Sequence, residues 1–192
     1  MSIQFDWGWG MNRTPFVMYE IGIAKLALHL TDGSEKVFPD ALASGRANYM
    51  LFEALVRDFA DLTKTTGSDH KDSDNKIYEQ KAYEDPELYP RAKDLFRCSS
   101  SSTFGANNNG PIVKRMLLEG DYAGALELCK ITGYSKNDFY VFTNSGSFKP
   151  DVPFRYFIIP SSTVVANLDS EDPRLISKNN LLGMIKSKVV LV

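Results

Sequence analysis

Cysteine and histidine are scarce in this sequence of 192 residues, which contains two of each. Cys98 and Cys129 are too few for a disulfide scaffold, so they favour a reducing compartment, and we expect both to be buried or semi-exposed thiols without a function. Neither His29 nor His70 has a cysteine or a second histidine at metal-ligand spacing. The sequence therefore does not predict a zinc site. We expect His70 to be exposed.

Long apolar runs and a strong charge of either sign are also missing. The apolar runs are far shorter than the roughly 20 residues that cross a bilayer, and no secretory signal begins the chain. We therefore expect a soluble cytoplasmic protein with no membrane partner. The formal net charge of -2 argues against a basic nucleic-acid coat protein, but DNA binding depends on where Lys and Arg lie.

The absence of an internal repeat and a hydrophobic fraction of 43% indicate one globular domain spanning residues 1–192. Within it, residues 1–62 are predicted to form an irregular arm followed by helices over 15–30 and 45–62. These helices and the arm are candidates for a dimer contact. Residues 63–165 are predicted to form the catalytic and DNA-reading core.

The core alternates strand and helix patterns. Residues 68–72 and 76–83 predict a hairpin with a turn at 73–75, because Asp and Asn tolerate turn geometry. Pro111 and Asp121 suit the beginnings of two helices. Apolar runs over 139–143 and 154–159 are typical of central strands covered on both faces. The fold class is therefore α/β, with a mixed central sheet flanked by helices.

The predicted hairpin carries the most informative side chains. Glu79 and Lys81 are two positions apart on a strand, so they point to the same face, and Asp69 lies upstream. Carboxylates hold hard divalent cations, and a lysine can position water or neutralise developing charge. Asp72 and Asp74 are alternatives to Asp69, and Glu53 on the preceding helix is a candidate supporting carboxylate. The competing interpretation is a solvated hairpin with alternating charges.

A polar loop follows over residues 99–110. It has no charged side chain but many that both donate and accept hydrogen bonds, which suits DNA recognition as well as a flexible linker. Lys114 and Arg115 on the next helix are candidate phosphate contacts. The candidate DNA-binding residues are Ser101, Ser102, Thr103, Asn107, Asn108, Asn109 and Lys114.

Residues 67–81 resemble a known active-site motif. Gly67-Ser-Asp69, Asp72, Asn75 and Tyr78-Glu-Gln-Lys81 are similar to the PD-(D/E)xK nuclease superfamily, and especially to the PvuII-like type II restriction endonucleases. The likeness covers roughly residues 45–145 and continues through the Ser-Thr and Asn-rich loop. It departs from the family at position 68, where Ser68 replaces the usual proline.

The resemblance implies a restriction-endonuclease-like fold and hydrolysis of phosphodiester bonds in double-stranded DNA at a short palindromic site. Asp69, Glu79 and Lys81 would be the catalytic residues. Asp69, Glu79 and the carbonyl of Gln80 would bind one or two Mg²⁺ ions. A bacterial or archaeal homodimer is expected, because a twofold protein matches a palindromic duplex.

Two alternatives remain open on the sequence. A structure-selective or repair nuclease would keep the same fold and the same site but would choose branched DNA without sequence preference. A non-catalytic DNA-binding module would use the acidic hairpin only as structure. Asparagines stand where the related enzymes carry a histidine-rich reading segment, so the target sequence does not carry over.

Overall fold

A seven-stranded mixed sheet forms the centre of this computed structural model. The structure describes residues 12–22, 27–29, 35–37, 46–66, 68–87, 93–98, 109–144 and 152–191. The strands are β1 (Val17–Ile21), β2 (Ala27–His29), β3 (Glu35–Val37), β4 (Thr63–Lys64), β5 (His70–Lys71), β6 (Ile77–Tyr83), β7 (Leu95–Arg97), β8 (Phe139–Asn144), β9 (Phe154–Pro160), β10 (Leu175–Ser177) and β11 (Ser187–Leu191). The helices are α1 (Arg46–Ala60), α2 (Asn109–Leu118), α3 (Tyr122–Thr132), α4 (Ser161–Ala166) and α5 (Lys178–Gly183).

The strand order across the main sheet is β11-β1-β9-β8-β6-β5-β4. β1 runs parallel to β11 and β6 runs parallel to β8, whereas the other neighbours are antiparallel. Two small sheets, β10-β7 and β2-β3, lie outside it. The predicted α/β fold with a mixed central sheet is therefore confirmed.

Helices cover both faces of the central strands. On one face, Val141 and Ile158 pack with Val56 of α1. On the other, Phe142 and Phe157 pack in one cluster with residues of α2, α3, α4 and α5, among them Val113, Cys129, Val164 and Leu181. The continuous apolar sequences of β8 and β9 follow from this double coverage, as predicted.

Several predicted elements occur at their expected places. The helix predicted over 45–62 is α1, and the hairpin is β5-β6. α3 begins after Asp121, whose side chain accepts a hydrogen bond from the Gly124 amide at 2.9 Å, and it ends at Gly133. Pro111 lies in the first turn of α2. Local signals were sufficient for these elements.

The helix predicted over residues 15–30 is wrong. This segment contains β1, an interior strand between β9 and β11, and then β2. Tyr19 and Ile21 are buried in alternation with more exposed neighbours, which is the period of a strand. Pairing on both sides outweighed a helical spacing that Gly22 already interrupted. The dimer contact predicted for residues 1–62 is not tested by this change of element and stays a prediction.

The main sheet also takes strands from outside residues 63–165, since β1 and β11 pair with each other and β1 pairs with β9. The predicted core is thus part of a larger sheet. No helix in the described part of the chain is both long and apolar enough to cross a membrane.

A partly buried charge network joins β1, β9 and the segment after β6. Arg155 donates to Glu20 at 2.7 Å, to Asp85 at 3.0 Å and to Glu87 at 2.5 Å. Lys188 of β11 adds a second cation at 2.6 Å from Glu20. Burial alone would raise the pKa of Glu20, but hydrogen bonds from Lys188 and Arg155 outweigh it and lower the pKa. Charge therefore supplements apolar packing here.

We expect Arg155→Met to lower the free energy of unfolding by about 3 kcal/mol at neutral pH, because it leaves carboxylates without their partner. The loss should shrink in acid. The lowered pKa of Glu20 means that its stabilisation is present above pH 4.5 and disappears as the pH falls through the folded-state value. Urea unfolding at several pH values measures both effects. Lys188→Met, at a more exposed cation, should cost about 0–1 kcal/mol, and an equal loss in both variants would contradict this account.

Candidate active site

The strand β6 presents Glu79 and Lys81 on one face, as their spacing predicts. Lys81 Nζ donates to Glu79 Oε1 at 2.5 Å, and the two side chains are only 12% and 13% exposed. In the parallel pairing with β8, Glu79 lies opposite Tyr140 and Lys81 opposite Phe142. The acid–base pair therefore lies beside two aromatic residues of β8 and has limited access to water.

Asp69 is tied to this pair through the backbone. Its Oδ2 accepts a hydrogen bond at 2.7 Å from the amide of Gln80, the residue between Glu79 and Lys81. Asp69 immediately precedes β5, and β5 pairs antiparallel with β6, which brings the two segments side by side. The structure thus brings together Asp69, Glu79 and Lys81.

Burial and neighbouring charges raise the pKa of Glu79. Burial is the largest cause; the Asp69 and Glu53 carboxylates act in the same direction, and Lys81 opposes them. Between the ordinary value of 4.5 and the raised folded-state value, the folded chain binds more protons, so Glu79 destabilises the fold as pH rises. Concentrated negative charge of this kind is typical of functional sites.

Glu53 on α1 belongs to the same electrostatic environment. Its pKa is raised first by burial and then by the charge of Asp69, while Arg57 opposes the shift. Arg57 Nη1 lies 3.5 Å from Glu53 Oε2, one helical turn away. Glu53 therefore interacts electrostatically with Asp69, and its supporting role at a metal site stays a prediction.

Asp72, in contrast, has a structural role. Its Oδ1 accepts hydrogen bonds at 2.9 Å from the amides of Asp74 and Lys76, and its Oδ2 accepts one at 2.8 Å from the Tyr78 hydroxyl. Burial would raise the pKa of Asp72, but these bonds outweigh it and lower the pKa. Both oxygens of Asp72 thus have hydrogen-bond partners within the hairpin, and the hypothesis that Asp72 supports or replaces Asp69 at a metal stays a prediction. Asp74 is exposed at the tip of that turn.

His70 is completely buried, so the expectation that it is exposed is wrong. Its Nε2 lies 2.7 Å from Gln80 Oε1, and burial lowers the pKa of His70, which favours a neutral ring. The side chain of Gln80 is therefore committed to His70 on the face opposite Glu79, so only the main-chain carbonyl of Gln80 can serve a metal. Alternation along β5 contained this signal, since Asp69 and His70 must point to opposite faces.

The donor set suits Mg²⁺ only with help from substrate or water. Among the described residues, no three His, Cys, Asp or Glu side chains form a group that could hold a metal ion. Asp69, Glu79 and the Gln80 carbonyl supply two carboxylates and one neutral oxygen. Mg²⁺ in proteins usually binds one or two carboxylates, substrate phosphates and several waters, so these residues fit that ion better than a zinc or calcium cage.

Sequence reasoning missed a second set of contacts around this face. Ser68 Oγ donates to Asn137 Oδ1 at 3.0 Å, and Asn137 Nδ2 donates to the Tyr140 hydroxyl at 3.4 Å, which fixes the turn that carries Asp69. Burial raises the pKa of the Cys98 thiol to about 12, while the charge of Lys81 acts in the opposite direction. Cys98 therefore lies close enough to interact electrostatically with Lys81 and Glu79. No local pattern could have found these long-range contacts.

The predicted DNA-binding residues have different outcomes. Lys114 is exposed on α2, and Asn109 begins this helix but is only 8% exposed, which limits its contact with a base edge. The remaining predictions, Ser101, Ser102, Thr103, Asn107 and Asn108, lie outside the described residues.

No protein-family model matches the chain, and comparisons with curated proteins and with solved structures find no match. The likeness to PD-(D/E)xK nucleases therefore stays a prediction, which depends on the residues of the hairpin and on their geometry.

Asp72→Ala should lower the free energy of unfolding by about 2–3 kcal/mol, because three donors lose a charged acceptor. Asp74→Ala, in the same turn but exposed, should change it by less than about 0.5 kcal/mol. Urea unfolding of both variants measures the difference. Two equal losses would mean that Asp72 does not hold the turn.

The pKa of Glu79 should rise further in Lys81→Met, which removes the opposing cation, and should fall in Glu53→Gln, which removes a neighbouring negative charge. A pH titration of the side-chain carboxyl ¹³C shifts in glutamate-labelled protein measures both changes. Glu127→Gln on the exposed side of α3 is the matched control and should leave Glu79 unchanged. Identical titrations in all variants would rule out the proposed coupling.

Proposed function

We propose that this chain is a Mg²⁺-dependent type II restriction endonuclease of the PD-(D/E)xK kind, which hydrolyses phosphodiester bonds in double-stranded DNA at a short palindromic site. The observation that carries the proposal is the hydrogen bond from the Gln80 amide to Asp69 Oδ2, at 2.7 Å. It joins Asp69 to the peptide between Glu79 and Lys81, so that an acidic residue of one hairpin strand meets an acid–base pair on the other.

The chemistry of these residues suits phosphoryl transfer to water. Hydrolysis forms a bond between a water oxygen and phosphorus and breaks one bridging P–O bond; the attacking water loses a proton to solvent, and the leaving oxygen takes one from solvent. A bound Mg²⁺ would supply electrostatic stabilisation of the negative charge on the phosphate and leaving oxygens. Asp69, Glu79 and the Gln80 carbonyl would hold it, and both carboxylates must be deprotonated to do so.

Lys81 has a separate role in this proposal. Its ammonium lies at 2.5 Å from Glu79 Oε1, which holds the Nζ beside that carboxylate. From there it can hydrogen-bond the attacking water and orient it toward phosphorus, and its positive charge offsets the charge that develops during the reaction. Glu53 would act indirectly, through its electrostatic effect on Asp69 and Glu79.

The DNA partner and the dimer belong to the same proposal. Lys114 is exposed and suits a phosphate contact, since phosphates are met mainly by Lys and Arg. A homodimer would place two such active sites on the two equivalent strands of a palindrome. A structure-selective nuclease would need neither the palindrome nor base reading.

Purified protein with Mg²⁺ should convert plasmid DNA into discrete fragments. Glu79→Gln and Lys81→Met should each reduce the single-turnover cleavage rate by at least about 100-fold, because each removes a group that acts at the reacting phosphate. Lys76→Met, at an exposed lysine next to the turn of the same hairpin, is the matched control and should cleave at the wild-type rate. Rates are measured on an end-labelled duplex.

Three outcomes would contradict the proposed restriction endonuclease or its catalytic residues. Preferential cleavage of branched DNA without sequence preference would favour a structure-selective or repair nuclease. Salt-dependent DNA binding with no cleavage in Mg²⁺ or Mn²⁺ would favour a non-catalytic module. Near-wild-type cleavage by both Glu79→Gln and Lys81→Met would show that the catalytic site lies elsewhere.

A further inference from the structure

A cavity of about 490 Å³ opens where the end of β6 meets β7. Tyr83 and Glu84 line it from the β6 side, Lys93 and Arg97 line it from the β7 segment, and Lys178 lines it from the start of α5. Three cationic residues and one carboxylate residue therefore line the cavity.

Two described carboxylates interact electrostatically with these cations, Asp94 with Lys178 and Asp172 with Arg97. Within the part of the chain that the structure describes, Lys93, Arg97 and Lys178 take part in none of the ion pairs. Asp94 is nearby, but its carboxylate bonds to the Ser177 hydroxyl at 2.6 Å and to the Asn179 amide at 2.9 Å.

Lys178 is the buried one of the three cationic residues that line the cavity. It is only 2% exposed, and a charged ammonium removed from water is costly unless an anion or hydrogen-bond acceptors compensate it. It is held by the backbone, since its amide donates to the Asp94 carbonyl at 3.0 Å. Lys93 and Arg97 are exposed and complete a concave site with a buried cation at its wall.

The cavity adjoins the candidate catalytic face. Tyr83 follows Lys81 by two residues on the same face of β6, which is about 7 Å along a strand. Arg97 directly precedes Cys98, whose thiol interacts electrostatically with Lys81 and Glu79. Phosphates of one DNA strand follow each other every ~3.4 Å along the helix axis, so a phosphate within two nucleotides of the reacting one would reach the cavity.

We propose that Lys93, Arg97 and Lys178 form a subsite that binds a backbone phosphate of the DNA substrate within two nucleotides of the scissile bond. The subsite rests on the proposed function for its ligand. It carries no sequence information, because phosphate contacts position the duplex and base contacts specify it. Its role is to set the register of the strand, so that the reacting phosphate lies at Asp69, Glu79 and Lys81.

The test compares DNA binding and cleavage in Lys93→Gln, Arg97→Gln and Lys178→Met. Fluorescence anisotropy without divalent metal gives the affinity for a labelled duplex as a function of salt. Each variant should bind severalfold more weakly, by the same factor for unrelated sequences, and the slope of log K against log salt should fall by about one. Lys130→Gln on α3, outside the cavity, makes the same charge change and should leave the slope unchanged.

Two further measurements control for folding and for binding of free phosphate. Circular dichroism and urea unfolding identify any variant that fails to fold, and the two exposed positions carry the test if Lys178→Met does. Inorganic phosphate, titrated against the ¹⁵Nε signal of Arg97, distinguishes a free-phosphate site. Micromolar binding of phosphate alone, unaffected by duplex, would overturn the assignment to DNA.

The experiments give different results if the phosphate subsite is wrong and if the proposed function is wrong. If wild-type protein cleaves DNA and all three variants keep the wild-type salt slope, the subsite is wrong and the nuclease assignment stands. If wild-type protein binds duplex without cleaving it and the slopes fall, the subsite is correct and the catalytic assignment is wrong. Absence of any DNA binding by wild-type protein would overturn both.

Discussion

The arrangement of the site depends on the place of β6 between β5 and β8. On one side, antiparallel pairing with β5 lets the Gln80 amide donate to Asp69. On the other, parallel pairing with β8 puts Tyr140 beside Glu79 and Phe142 beside Lys81. The Gln80 amide thus connects the two sides of one hairpin. If β6 slipped by one residue, Glu79 and Lys81 would turn to the opposite face, under α1.

The cost of this arrangement appears in the carboxylates. Glu53 and Glu79 are partly buried near Asp69, and burial together with mutual repulsion raises the pKa of both. Arg57 and Lys81 offset only part of that penalty. Elsewhere the chain stabilises its charges fully, as at Asp72, whose pKa is lowered by hydrogen bonds. The contrast separates a carboxylate whose charged form hydrogen bonds stabilise from carboxylates whose charged form burial disfavours.

Local patterns predicted α1, α3 and the hairpin well, because a turn, a cap or an apolar stripe is encoded within a few neighbouring residues. They failed over residues 15–30, where spacing suggested a helix and pairing with β9 and β11 produced β1. They also misplaced His70, which is buried against Gln80. Both errors concern contacts with residues distant in sequence, and a propensity carries no information about such contacts.

The sequence by itself determined which side chains share a face of β6, because the two-residue period of a strand leaves no alternative for Glu79 and Lys81. It also determined that Asp69 and Glu79 lie near a turn that brings them together. Only the tertiary structure decided that Asp72 accepts hydrogen bonds within that turn, that Glu53 of α1 interacts electrostatically with Asp69, and that Lys178 lines a cavity beside β6. The reason is that these relations depend on which elements pack together, and packing is settled by the whole chain.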